Sequence, residues 1–395
     1  MEKSRIAIIN SVYKNGSTGR ICFELQEYFQ TNGYECCTYY GRNNVNLPNS
    51  VYFGSKLDNW IHGFRSRITG KHGLYSKRAT KRLIKLLDEY NPNVYILNNL
   101  HGYYVNYELL LRYIASKNVP VILVLHDCWN FTGHCAHFSY NKCDKWKTEC
   151  KNCKFLNSYP KSIIFGNELN NYKKKKELFS SINNLQIVCP SSWMKNMVEQ
   201  SFLKKNKITV INNGIDANKF KKKEKPTFRT KYNLKDKVLI LCVAYIFDKR
   251  KGIDDIITLS KVIPNNNSIV VVGKVDITCT LPKHIIHIKK TDNVEELIDI
   301  YSSCNVFFNP TYQDTYSNVN MEALSCGLPV ICYKTGGAYE MIDSRFVVEQ
   351  GDLLKTVSLI EGLTDGTIAY DFSNNENNSK DLFAKNYFNI LKTYK

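Results

Sequence analysis

Short apolar runs alternate with longer amphipathic stretches along nearly all of the chain, and this alternation constrains the fold more than any other feature. RIAIIN (5–10) reads as a buried first strand. A glycine-containing loop, NGSTGR (15–20), follows. ICFELQEYFQTNG then has helical spacing, with Ile21, Leu25 and Tyr28 on one face and Gly33 as its stop. CCTYYG is a strand, KRATKRLIKLLDEYNP a helix ended by Pro92, and VYILNN, VNYELLLRYIASKN and VPVILVLHD continue the series. Strands that are apolar on both faces, separated by helices, predict an α/β chain built on a parallel, doubly wound sheet.

The series breaks at 128–172, where a polar, cysteine-rich insertion and a lysine run intervene. It resumes at LQIVCPSSWMKNMVEQ, where Ser191 or Ser192 is placed to cap a helix, and at ITVINNGID (208–216). The charged stretch 219–234, with a proline and no clean period, reads as an interdomain linker. A second series follows: VLILCVAYIF, KGIDDIITLSKVIP, SIVVVGKV, HIIHIKK, NVEELIDIYSSC, NVFFNPT, SNVNMEALSCG with Gly327 at the helix end, and LPVICYKTGG. The expectation is a Rossmann-like domain over 1–205 and a second over 206–376. A terminal helix over 377–395 is expected to pack back on the first, with Leu382, Tyr387 or Phe388, and Leu391 facing inward. Ligands in such folds bind beyond the carboxyl ends of the strands, here in a cleft between two facing domains.

At 395 residues, 43% hydrophobic and 23% charged, the chain is neither disordered nor a small disulfide-stapled scaffold. The longest apolar run, Val238–Phe247, is too short to span a bilayer. MEKSRIAIIN has no signal-peptide h-region, so a cytoplasmic location is expected. The formal net charge is +18, and lysines cluster at Lys173–Lys176 and Lys221–Lys223. Solvated helix faces and linkers account for such runs. Attraction to an anionic membrane surface, with peripheral attachment to the inner leaflet, also accounts for them. Nucleic acid is not an expected partner, because no basic-aromatic or helix-turn-helix pattern is present.

Three constellations carry chemistry. Gly16 and Gly19 in the first loop let backbone approach a ligand at a helix start, although a plain tight turn would use the same residues. Lys249, Arg250 and Lys251 end the first strand of the second series, just before Gly252, a cationic turn suited to a diphosphate. Asp314 and Glu322 stand eight residues apart across a loop and helix start. Ionised carboxylates accept strongly from sugar and ribose hydroxyls, and the N–H groups near Tyr316, Ser317 and Asn318 face a phosphate well.

NPTYQDTYSNVNMEALSCGLPVICYKTGG resembles the donor-site signature of retaining, family 4-type glycosyltransferases of the GT-B fold: an acid, seven residues, Glu-Ala, Gly-x-Pro-Val and a glycine pair. VAYIFDKRKGIDD is similar to their Lys-Gly phosphate segment, and PSSWM and VINNGID to the stretch leading into their linker. HDCWNFTGHC resembles the subset that builds capsular, O-antigen or exopolysaccharide chains. The resemblance implies two Rossmann-like domains and transfer of a sugar from a UDP-, GDP- or ADP-linked donor to a hydroxyl of a glycan or lipid-linked glycan. Anomeric configuration would be retained. It assigns Glu322 to the nucleotide ribose, Asp314 to donor-sugar hydroxyls, Lys251 and Arg250 to the diphosphate, Gly16 and Gly19 to the approach of the first loop, and His126 to the donor sugar near the reacting carbon. It implies no catalytic metal. Two positions depart from the pattern: the first acid is Asp314 rather than Glu, and Ile246 stands where an arginine is usual. A nucleotide-sugar epimerase of the same fold and a catalytically silent binding module are the alternative readings.

Cys135, Cys143, Cys150 and Cys153 have the spacing C-x7-C-x6-C-x2-C. Four thiolates with one C-x-x-C pair suit a structural zinc, with His134 and His137 as competing ligands. Reduced free thiols or a redox pair remain the other readings. The remaining cysteines, such as Cys189, Cys242 and Cys332, lie in apolar strands and read as small core hydrophobes.

Overall fold

The computed structural model describes residues 4–373 and 378–394. The chain divides into two compact units, Met1–Asn212 with Phe383–Lys395, and Asn213–Leu382.

The first unit holds strands β1 (Arg5–Asn10), β2 (Glu35–Tyr40), β3 (Ser50–Tyr52), β4 (Val94–Leu97), β5 (Val121–Val124), β6 (Leu185–Cys189) and β7 (Lys207–Val210). They form one seven-stranded sheet in the order β3-β2-β1-β4-β5-β6-β7, every pair parallel. Its helices are α1 (Gly16–Thr31), α2 (Lys56–Thr69), α3 (Lys77–Tyr90), α4 (Tyr107–Lys117), α5 (Glu168–Ser180) and α6 (Ser192–Glu199). β1, β4, β5 and β6 are buried almost end to end, which is why they read as unbroken apolar runs. Ser191 caps α6 by accepting from Met194 N–H.

The second unit opens with a single helical turn, α7 (Phe228–Lys231). β8 (Val238–Phe247), α8 (Ile253–Val262), β9 (Asn267–Val275), β10 (Ile286–Ile288), α9 (Val294–Ser303), β11 (Val306–Asn309), α10 (Asn318–Ser325), β12 (Val330–Tyr333), β13 (Val347–Val348) and α11 (Leu353–Asp365) follow. The strands pair in parallel in the order β10-β9-β8-β11-β12-β13. In both sheets the first strand of the unit is central and the order reverses beside it, the doubly wound arrangement.

The domain division differs from the sequence expectation. β7 pairs with β6, Ile208 opposite Ile187, so 206–212 belongs to the first unit. The stretch 219–234 is not a linker. Phe220, Phe228 and Leu234 are buried in the second core. Thr227 N–H donates to Asp299 (3.0 Å), and Arg229 donates to Ser303 O (2.7 Å) and Asn305 (2.6 Å). The charges that masked its period are hydrogen-bonded along one side of α9.

The terminal helix, α12 (Lys380–Lys392), joins the first unit from Phe383 onward. Phe383, Ala384, Tyr387, Ile390 and Leu391 pack with Ile8, Leu25 and Phe29. Burying four large side chains contributes on the order of 6–12 kcal/mol before ordering entropy. Leu382 is 38% exposed, so the inward stripe starts one residue later than expected. The boundary expected at 376/377 lies outside the described residues. Lys175, read as part of a solvated lysine run, is fully buried.

Candidate active site

Each unit carries part of the expected site. In the second unit, β8 ends at Phe247 and the chain turns through a short 3-10 segment, Lys249–Lys251. Asp248 caps this turn, its side chain accepting from Lys251 N–H at 2.9 Å. Gly252 follows with φ 73°, and a Cβ there would lie 2.2 Å from Pro310 O. Only glycine lets the cationic turn sit against the loop after β11.

That loop, residues 310–317, is fixed from several sides. Tyr312 N–H donates to Arg250 O (2.9 Å), and Tyr312 and Tyr333 both donate to Asp255 Oδ2 (2.7 and 2.9 Å). Gly336, at φ 54°, brings its Cα so close that a Cβ would lie 1.9 Å from Asp314 O, and Gly337 N–H donates to that same oxygen. The glycine pair of the sequence signature therefore cradles the Asp314 backbone. The Asp314 carboxylate meets Lys251 Nζ at 2.9 Å. Arg250 donates to Gln313 O at 3.4 Å, so it reaches the same loop.

Ser317 caps α10 and is held by Asn309, whose amide also donates to Asn320. Asn318 is the first residue of α10 and accepts from Asn213 (3.3 Å). Tyr316 is buried and donates to Asn378 Oδ1 (2.9 Å), with its phenol pushed up by burial. Glu322 sits one turn further, 8% exposed, and accepts from Tyr301 OH at 3.1 Å. The second unit thus brings Arg250, Lys251, Asp314, Tyr316, Ser317, Asn318 and Glu322 onto one cationic turn, the 310–317 loop and the start of α10. Ile246, at the arginine position, is 41% exposed and supplies no charge.

In the first unit, Gly16 has φ 68° and opens α1, while a Cβ on Gly19 would press on Lys14 N at 3.1 Å. Lys14 N–H donates to Gly19 O at 2.8 Å, folding the loop over the helix start. His126 follows β5, half-buried, with Nε2 2.8 Å from Asn98 Oδ1. Burial pushes its imidazole down to about 4 although Asp127 pulls the other way, so the ring is neutral near pH 7.

A network beside His126 was not read from the sequence. His101 Nε2 meets Asp127 Oδ2 at 2.6 Å, and His101 Nδ1 meets Tyr159 OH at 3.2 Å. Burial alone would raise Asp127, but the pull of His101 and its hydrogen bond bring it down to about 2. Tyr159 opens onto a basin of about 1070 Å³, whose walls include Arg42, Lys56, Trp60, Arg67 and Tyr103. Much of this wall is α2, which lacks a clean apolar stripe. Leu57, Trp60 and Phe64 on α2 are more than half exposed, as are Ile163, Ile164 and Phe165. The two segments are joined by Ile163 N–H to Arg67 O (2.7 Å) and Phe165 N–H to Ile68 O (3.0 Å).

The cysteines expected to bind metal all border one small cavity, together with His134 and Trp146. Among the described residues no group of three or more His, Cys, Asp or Glu side chains is already arranged to hold an ion. No helix among them is long and apolar enough to cross a membrane.

Comparison with known proteins agrees with this fold. The family model for Glycosyltransferase Family 4 matches residues 18–219, and that for Glycosyl transferases group 1 matches 224–365. A putative colanic acid biosynthesis glycosyl transferase, WcaC of Escherichia coli K12, is 26% identical over 279 residues, 68% of this chain and 67% of that protein. The capsular polysaccharide biosynthesis glycosyltransferase CapM of Staphylococcus aureus is 29% identical over 199 residues, 45% of this chain and about half (51%) of the relative. Among solved structures, sucrose-phosphate synthase from Thermosynechococcus elongatus superposes with a TM-score of 0.70 at 15% identity, covering 99% of both chains. Anabaena HepE in complex with UDP and glucose gives 0.68 at 13% identity, over 98% of this chain and 99% of that one. These structures share the fold of two Rossmann-like domains. The chain is a GT-B glycosyltransferase and belongs to Glycosyltransferase Family 4.

Proposed function

We propose that this glycosyltransferase moves a sugar from a UDP-linked donor to a hydroxyl of a surface-polysaccharide intermediate carried on a lipid, with retention at the anomeric carbon. The observation that carries the reading is the Lys251–Asp314 pair at 2.9 Å, one loop away from a buried Glu322. A cation and two carboxylates match what a nucleotide sugar presents: a diphosphate flanked by sugar hydroxyls on one side and ribose on the other. Lys251 and Arg250 offset the charge that builds on the leaving diphosphate. Asp314 accepts from donor-sugar hydroxyls, and Glu322 accepts from the ribose. His126, neutral and fixed by Asn98, offers a ring hydrogen bond without adding charge. No protein nucleophile is assigned. The leaving phosphate oxygen takes the acceptor proton as the new glycosidic bond forms on the face the diphosphate leaves.

UDP is favoured because HepE, of the same fold, was solved with it. A capsular or exopolysaccharide acceptor is favoured by WcaC and CapM. The acceptor is assigned to the basin under Tyr159, where Arg42, Lys56 and Arg67 suit a phosphate-linked glycan. Leu57, Trp60, Phe64 and Ile163–Phe165, flanked by Lys56, Arg65 and Lys161, suit an anionic bilayer surface. Co-sedimentation tests this last part. Binding to vesicles with a third anionic lipid should exceed binding to neutral vesicles, and Trp60→Ser with Phe64→Ser should abolish it. Equal recovery of wild type and double variant would remove the membrane assignment. UDP release from UDP-sugars in the presence of lipid-linked glycan tests the transfer itself.

A further inference from the structure

We propose that Cys135, Cys143, Cys150 and Cys153 form a structural zinc site that fastens the segment carrying Tyr159. All four border a single cavity of about 20 Å³, room for one water-sized body. The segment 132–167 is anchored in the first core by Phe138 and Trp146, whose rings stack at 4.7 Å, but it has almost no regular structure. From 132 to 167 its only helical piece is the three-residue turn Lys145–Lys147. All four cysteines are free thiols.

Three independent features point to an occupant. Backbone N–H groups already point at two of the sulfurs: Gly133 N–H donates to Cys150 Sγ (3.2 Å) and Phe155 N–H to Cys153 Sγ (3.4 Å). Such donors stabilise a thiolate and orient it as a ligand. The C-x-x-C turn is pinned in place, with Asn152 left-handed at φ 50° and Lys145 Nζ donating to Lys151 O and Asn152 O. His134, only 2% exposed, borders the same cavity and its Nε2 has no partner among the described residues.

A buried amine lies beside the cluster. Lys175 is fully buried, and its amine donates to Trp129 O (2.6 Å) and Thr132 O (3.0 Å). It therefore lies one peptide from Gly133, which donates to Cys150. Soft sulfur ligands in a tetrahedral set select zinc over hard cations. Among the described residues the four cysteines border the cavity without forming a group already able to hold an ion, so binding would draw their side chains together and rigidify the turn.

The consequence reaches the basin. Ala136 N–H donates to Tyr159 O (2.9 Å) and Asn141 to Ser158 Oγ (3.1 Å), so the cysteine segment holds Tyr159 against His101, which in turn meets Asp127. Zinc binding is independent of the proposed function; only the effect on acceptor binding rests on the proposed placing of the acceptor in this basin.

The test is the zinc content of the full chain purified under reducing conditions and then reconstituted with zinc. About one equivalent per folded chain is expected, falling below ~0.2 in Cys150→Ser and Cys153→Ser. Cys279→Ser, outside the cluster, should keep its zinc. Should the cluster variants fail to fold, cobalt reconstitution of the wild type replaces them, and intense thiolate-to-cobalt absorption with tetrahedral bands is expected. Stripping the metal should speed proteolysis within 140–158 by more than ~10-fold. Less than ~0.2 equivalents in folded, reconstituted wild type, absence of the cobalt bands, or a Cys150–Cys153 disulfide in peptide maps would overturn the proposal.

Discussion

Lys251 Nζ lies 2.9 Å from Asp314 Oδ2, and each side chain keeps about a fifth of its surface open, 22% and 20%. A partly solvated pair of this kind contributes little to folding, roughly 0–1 kcal/mol. In the proposed function it holds a cation ready for the diphosphate and a carboxylate ready for the sugar next to it. Lys251→Ala and Asp314→Ala should each lower transfer by well over ~10-fold. Each should shift the melting temperature by less than about 4 °C. Rates near wild type in both variants would remove the pair from the site.

Tyr301 supports Glu322, the acid proposed to hold the ribose. Its hydroxyl donates to Glu322 at 3.1 Å inside the second core. Tyr301→Phe keeps the ring packed and removes that bond, worth about 0.5–1.5 kcal/mol, together with the longer contact to Val319 O (3.5 Å). Donor KM should rise about 2–10-fold while kcat stays within ~2-fold. An unchanged donor KM would show that Glu322 needs no support from Tyr301.

Gly336 tests the loop cradle. With φ 54° and Asp314 O at 1.9 Å from an added Cβ, Gly336→Ala must displace the Asp314 backbone. Donor affinity should fall by more than ~10-fold. Gly366 has φ 82° but open space around it, so Gly366→Ala is the control. That substitution should cost about 1–2 kcal/mol of stability and leave donor affinity intact. Equal donor affinity in both variants would contradict the cradle.

Acid should weaken the first unit early. Burial lowers His126 to about 4, His62 to about 3 and His72 to about 2, all below the ordinary 6.5. Above 6.5 these groups are neutral in both states and their contribution is complete. As pH falls below 6.5 the unfolded chain takes up protons that the folded chain refuses, so stability is lost towards pH 4 and below. Asp127, lowered to about 2, extends the loss below its ordinary 3.8. The urea midpoint should drop between about pH 7 and pH 4.5, and the drop should shrink in His126→Gln. A midpoint that is flat over this range would contradict the burial of these rings.

Catalysis is assigned to side chains and helix termini, so brief EDTA treatment should leave the initial rate within ~2-fold. Strict dependence on added Mg²⁺ or Mn²⁺ would contradict that assignment. Slow loss of activity only after prolonged treatment with a strong thiophilic chelator fits a structural metal instead.

Both sheets were legible because their inner strands are apolar on both faces, and the 314–337 block was legible because its acids, caps and glycines fall at fixed spacings. Less was visible where charge hid the pattern. Arg229 and Thr227 look like linker polarity, yet they bond α9. Lys175 sits in a lysine run, yet burial and two carbonyls hold it in the core. α2 was missed because its large apolar residues, Leu57, Trp60 and Phe64, are exposed rather than packed into a core stripe. The Tyr159–His101–Asp127 network joins three distant stretches, and no spacing along the chain announces it.

The most direct test of the account is nucleotide binding by calorimetry, with UDP, GDP and ADP offered to wild type, Lys251→Ala and Glu322→Ala. UDP should bind the wild type, and more weakly by ~10-fold or more in each variant, because the diphosphate and the ribose each lose a charged partner. Absence of binding for all three nucleotides, or UDP affinity unchanged in both variants, would contradict the donor site on the cationic turn and α10.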